Sequence, residues 1–144
     1  MSEDALNELY QTILLKHSKT PLYYGKLENF THMGEGFNPI CGDAITIYLN
    51  MEGSTLKNIS FESAACAICK ASASIMLEQI QLISLAQVAD YKAAFNELLS
   101  QEDYVASIPM AEDFKAFKGI LKFPARKTCA LLPWDTLEKA LDLP

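Results

Sequence analysis

Positive charge is scarce in this chain. Lys and Arg number 12 against 18 Asp and Glu, a formal net charge of −6 over 144 residues. Nucleic acid needs a basic face to displace its counterions, so no nucleic-acid partner is expected. Mild acidity suits a basic protein partner, and it also serves solubility. Long apolar runs are missing too. No stretch reaches the ~18 apolar residues of a membrane span, so no membrane association is expected. The opening MSEDALNELY is acidic and lacks the basic start and apolar run of a secretory signal. The expectation is a cytoplasmic protein whose thiols stay reduced. Histidine is rare, and neither His17 nor His32 has a partner at metal-ligand or triad spacing. Both read as surface or packing residues. There is no glycine-rich phosphate loop, no arguable Ser/His/Asp arrangement, no repeat and no linker.

What remains is a chain half hydrophobic and about a fifth charged, of a length that fits one domain. Leu6, Leu9, Tyr10, Ile13 and Leu14 recur at helical spacing, with Asp4 as N-cap and an end near Lys16 or His17. Pro21, Gly25, Gly34, Gly36 and Pro39 then mark irregular chain, with a short strand near Phe30 to Gly36. DAITIYLNMEG alternates as a strand, and TLKNISFES supplies its hairpin partner across a turn at Glu52 to Ser54. From Ala64 the residues become small and helical. Ile68, Ser72, Ile75, Met76, Gln79 and Ile80 share a predicted face. SLAQ at Ser84 to Gln87 is a capping box opening a helix to about Leu99. Pro109 breaks the chain before a short helix near Met110 to Phe117. A last helical segment begins at Pro124, and Pro133 permits a second start. Strands precede most of the helices, which predicts an α+β fold: a small, about three-stranded antiparallel sheet packed against several helices.

Four cysteines in a reducing compartment point to metal or catalysis before disulfides. In FNPICGDAIT, Cys41 stands two residues before Asp43, and in extended chain that spacing puts both on one side. Cys66 precedes the helix starting near Ala67, where free amides and the helix dipole favour a thiolate. Cys129 follows Arg126 and Lys127, whose charge acts the same way. Zinc takes four ligands from Cys, His and carboxylate, and Cys41, Asp43, Cys66 and Cys129 make such a set. Three thiolates select a thiophilic metal, zinc or iron, over calcium or magnesium. The 25- and 63-residue gaps between these cysteines are not zinc-finger spacings, so the pattern alone is suggestive. CAIC also reads as a dithiol pair opening a helix, although the βαβ context of a redox motif is missing. The plainer reading of Cys69 is a small buried hydrophobe. A metal-free domain of buried thiols accounts poorly for Cys41, Asp43, Cys66 and Cys129 together, since each sits at a polar or capped boundary.

NPICGDAITIYL, CAICKASASIM and FPARKTCALLPW together resemble the SufU branch of the IscU/NifU N-terminal family of iron–sulfur cluster assembly proteins. LYQTILLKHSKTPLYYGKLEN resembles that family's first helix and loop, so the likeness covers most of the chain. The resemblance implies one domain over residues 1–144, with metal ligands Cys41, Asp43, Cys66 and Cys129. IscU proteins carry His just before the last cysteine, where this chain has Thr128. The interval from Cys66 to Cys129 is longer than in IscU, and the extra chain around DYKAAFNELLSQEDYVAS resembles the SufU insertion. That branch implies bound zinc and a SufS-type cysteine desulfurase as partner, with downstream iron–sulfur assembly proteins as recipients. Ala65, Cys69 and Lys70 depart from the family's usual Gly, Ser and uncharged residue. Two readings follow: a zinc-dependent sulfur acceptor reacting through Cys41, or a scaffold holding a [2Fe–2S] cluster on the same ligands. Arg126, Lys127 and Cys69 are possible auxiliary residues.

Overall fold

A computed structural model describes residues 2–141, so the expected 1–144 boundaries extend past it at both ends. The first helix, α1 (Glu3–Lys19), is capped by Ser2, whose hydroxyl accepts the Ala5 N–H at 3.1 Å. Asp4, the expected cap, lies instead in the first turn. There it joins Glu3 in complementing the helix dipole, with Lys16, His17 and Lys19 at the opposite end.

Three strands follow: β1 (His32–Asn38), β2 (Asp43–Glu52) and β3 (Thr55–Ala64), antiparallel in the order β1-β2-β3. β1 starts two residues later than the predicted Phe30 and runs two residues past Gly36, to Asn38. Alternation along β2 buries Ile45, Ile47 and Leu49 on one face, and Phe61 of β3 joins them. Gly53, at φ 64°, makes the β2–β3 turn, in a region that L side chains adopt reluctantly.

Helix α2 (Ala67–Ile80) is buried on almost every side, not on one face. From Ala71 to Ile80 only Glu78 is exposed. The small run Ala71–Ser72–Ala73–Ser74 explains this, because short side chains let neighbours approach from several directions. The capping box at Ser84 forms, with Gln87 accepting the Ser84 N–H at 3.0 Å. It closes a short 3₁₀ turn, Leu85–Gln87, that leads into α3 (Val88–Leu98). The predicted helix after Pro109 is a 3₁₀ helix, Glu112–Ile120.

The final helix α4 (Pro124–Ala140) opens on Pro124 as expected. It then continues through Pro133 without a second start. Proline cannot donate to the carbonyl of Cys129, four residues back, and this loss is normally costly. Burial of Cys129, Ala130, Leu132, Trp134, Leu137 and Ala140 offsets it. α4 lies directly on β1 because Gly34 and Gly36 lack side chains. A Cβ on Gly34 would come within 2.6 Å of the Thr136 carbonyl, and one on Gly36 would collide with the Thr136 hydroxyl. Phe95 of α3, Phe114 and Phe117 of the 3₁₀ helix, and Trp134 form an aromatic cluster behind α4. The architecture is α+β, as the sequence pattern predicts. Among the described residues, no helix is long and apolar enough to cross a membrane.

Candidate metal centre

The register of the sheet gathers the thiols. Asn38 pairs with Asp43 across the β1–β2 connection, so Pro39 to Gly42 form a tight turn carrying Cys41 at its tip. Gly42, at φ 69°, permits that turn. Cys41 is therefore outside the strand. Its proximity to Asp43 comes from the turn and not from strand alternation, which corrects the extended-chain reading. Ala44 pairs with Ala64, so the start of β2 lies beside the end of β3 and the entry to α2. Cys66 caps α2, its sulfur accepting the Cys69 N–H at 3.4 Å. Cys129 arrives from α4.

Cys41 Sγ, an Asp43 carboxylate oxygen and Cys129 Sγ lie within 4.8 Å of one another. The two sulfurs are 3.1 Å apart. Cys66 joins through Asp43, whose Oδ2 is 3.5 Å from Cys66 Sγ and whose Oδ1 accepts the Cys66 N–H at 2.8 Å. Asp43 is buried at 1 % exposure, so its carboxylate fixes the strand end to the helix start. Cys129 is buried and Cys41 exposed. All three thiols open onto a cleft of about 920 Å³ that Tyr10, Phe123 and Arg126 also line. The gathered atoms, two sulfurs and one carboxylate oxygen, are donors that zinc and iron both accept, and Cys66 Sγ lies outside that three-residue group, 3.5 Å from Asp43 Oδ2.

The basic pair does not act on Cys129 as expected. Burial pushes the Cys129 thiol up, with hydrogen bonding to Cys41 and Asp43 acting in the same direction. The Arg126 guanidinium lies over the Phe123 ring, 4.5 Å from its centroid, at the cleft edge. Cys69 is fully buried, and burial pushes its thiol up as well. Among the described residues, Tyr23 is the one non-glycine at positive φ, so Ala65 carries no such strain. Lys70 is explained by its ammonium 5.4 Å from the Tyr24 ring centroid.

Two features escaped the sequence. Asn38 is buried; its amide donates to Cys129 Sγ at 3.9 Å and its Oδ1 accepts the Ile40 N–H at 3.1 Å. The turn at Asn38–Pro39 that holds Cys41 at an exposed loop edge is as the sequence predicts; the burial of Asn38 and its contact with Cys129 are not. His17 is neither a surface residue nor simple packing. Its Nδ1 is 2.8 Å from Ser74 Oγ and its Nε2 2.8 Å from Asp113 Oδ2. A Ser/His/Asp arrangement therefore exists, but Ser74 is fully buried and sealed from any substrate.

Three thiols and a buried carboxylate at one end of a three-stranded sheet define a thiol-centred α+β domain. The chain belongs to the NifU-like N-terminal domain family, whose pattern matches residues 9–130. It is 33 % identical over 136 residues to the zinc-dependent sulfurtransferase SufU of Bacillus subtilis (strain 168), covering 94 % of this chain and 91 % of that protein. It is also 33 % identical over 139 residues to the iron–sulfur cluster assembly scaffold protein IscU of Thermotoga maritima, covering 92 % of each. A crystal structure from Fervidobacterium islandicum AW-1 superposes with a TM-score of 0.75 at 30 % identity, covering 94 % of this chain and 98 % of that one. It is described as a putative iron–sulfur cluster assembly scaffold protein for the SUF system.

Proposed function

We propose that this protein serves iron–sulfur cluster biogenesis as a zinc-bound sulfur acceptor that receives persulfide sulfur from a SufS-type cysteine desulfurase. One observation carries the reading. Among the gathered candidate ligands, Cys41 alone is exposed and held by a turn, whereas Asp43 and Cys129 are buried in regular elements. Asp43, Cys66, Cys129 and Cys41 would hold the ion, which would keep the thiols deprotonated at neutral pH.

Cys41 then does the chemistry. Its thiolate attacks the outer sulfur of the desulfurase persulfide. A new S–S bond forms on Cys41, the old one breaks, and the desulfurase cysteine leaves as a thiolate. Gly42 gives the turn the freedom to present Cys41, while Asp43 holds Cys66 in place. Exposed Phe37 and Ile40, at 63 % and 82 %, flank the turn and suit a protein partner. Thr128 in place of His and the long Cys66–Cys129 interval favour transfer, the latter as a SufU-type insertion in a single domain. Action in the cytoplasm, with handover to downstream assembly proteins, completes the proposal.

The second reading is a scaffold for a [2Fe–2S] cluster on the same ligands, favoured by the similarity to an IscU protein. Metal analysis separates them: colourless protein with one zinc supports transfer, and brown protein with iron and sulfide supports the scaffold. The test of mechanism is stimulation of a cysteine desulfurase by wild type and by Cys41→Ala. Stimulation should vanish in the variant, and full stimulation would remove Cys41 from its role.

A further inference from the structure

A second set of metal-type ligands converges far from the thiols. His17 of α1, Glu78 of α2 and Asp113 of the 3₁₀ helix each offer one atom, all within 4.8 Å of one another. Glu78 lies twelve residues along α2 from Cys66, about 18 Å at the helical rise, so the two groups are separate.

A hydrogen bond accounts for His17 and Asp113, whose Nε2 and Oδ2 are 2.8 Å apart. It leaves Glu78 unexplained. Glu78 is exposed, and among the described residues it has no hydrogen-bond or ion-pair partner. Its carboxylate nonetheless comes within 4.8 Å of that of Asp113. Two carboxylates so close repel each other, and a cation between them removes the repulsion. His17 is 7 % exposed, and its ring is fixed from behind by Ser74, whose Oγ also accepts the Leu22 N–H at 2.8 Å. A histidine held by a hydrogen bond at Nδ1, with Asp113 at Nε2 and the Glu78 carboxylate within 4.8 Å of a ring nitrogen, has the build of a metal ligand and its support.

We propose that His17, Glu78 and Asp113 form a second, thiol-free site for a divalent first-row cation of the Mn²⁺ or Fe²⁺ class. One imidazole and two carboxylates form a harder donor set than three thiolates, and water fills the remaining positions. The protons balance without an outside acceptor. In the ion-free state Nε2–H donates to Asp113, and the Ser74 hydroxyl donates to Nδ1. On binding, neutral His17 presents a bare Nε2 and carries its proton on Nδ1, donating to Ser74 Oγ. The hydroxyl accommodates both states by rotation, because Leu22 N–H occupies only one of its lone pairs. This site is independent of the reading of the thiol centre.

The test is Mn²⁺ titration of the full chain, with free Mn²⁺ followed by electron paramagnetic resonance. One ion per chain should bind. Glu78→Gln should weaken it about tenfold or more, as loss of a direct ligand would. Glu78 is exposed, so this variant should keep the wild-type circular dichroism spectrum. Cys41→Ser, which touches only the thiol centre, should bind Mn²⁺ as wild type does. Failure to retain Mn²⁺, equal affinity in Glu78→Gln, or loss in Cys41→Ser would each overturn the site.

Discussion

Cys41 Sγ and Cys129 Sγ lie 3.1 Å apart although 88 residues separate them in the chain. Two thiols in contact can be oxidised to a disulfide, giving up two protons and two electrons to an oxidant such as diamide. Metal-free protein treated with diamide should fall from four titratable thiols to two and recover both with dithiothreitol. Peptide mapping should place the bond between Cys41 and Cys129. Prior zinc loading should protect both thiols if they are ligands. Retention of all four thiols in the metal-free protein would contradict the contact.

Asp43 joins the strand end to the helix start through the Cys66 N–H. Asp43→Ala leaves that donor without its partner and should cost about 1–3 kcal/mol in urea unfolding. Asp43→Asn keeps a carbonyl acceptor for the same N–H, so its cost should be smaller. Both variants lose the anionic oxygen, and both should bind zinc more weakly in a chelator competition. Equal stability of Asp43→Ala and wild type would show that Cys66 is held by other contacts.

Gly36 is where β1 meets α4, against Thr136. Gly36→Ala should destabilise by about 1–3 kcal/mol through overpacking. The shift of β1 should also disturb the Cys41 turn and lower metal affinity. Thr136→Ala removes the colliding hydroxyl, so the double variant should recover part of the loss, a coupling that a double-mutant cycle measures. Simple additivity would mean that the two residues do not meet.

Cys69 is buried beneath the thiol centre. Iodoacetamide should label Cys41 in the folded protein and leave Cys69 untouched until unfolding. Cys69→Ala should keep full metal content at a stability cost of about 1 kcal/mol, the scale of one buried methylene. A reversible Cys66–Cys69 disulfide in the folded wild type would instead revive the dithiol reading.

The local elements were legible where one physical signal dominated. Alternation at Ile45, Ile47 and Leu49 specifies β2 of the hairpin, and Ser84 with Gln87 specifies the capping box. Elsewhere local signals compete. Ser2 and Asp4 are both good caps, and only the geometry of the first turn chose between them. Pro133 reads as a break until the burial along α4 is known, because tertiary packing outweighs a single lost hydrogen bond. α2 looked one-sided because small residues carry little periodic signal, yet their smallness is why neighbours crowd it on nearly every side.

The residue types of the thiol centre are written in the chain: three cysteines, an aspartate two past the first, and turn and cap residues around them. The sequence also determines the α+β pattern, since hydrophobic period and turn chemistry act over a few residues at a time. Which groups meet depends on long-range packing. The pairing of β2 with β3 and the passage of α4 over Gly34 and Gly36 bring Cys129 to Cys41. Packing of α1 between α2 and the 3₁₀ helix brings His17 to Ser74, Glu78 and Asp113. These contacts span up to 96 residues, and no local propensity encodes them. They follow from how the buried faces fit together.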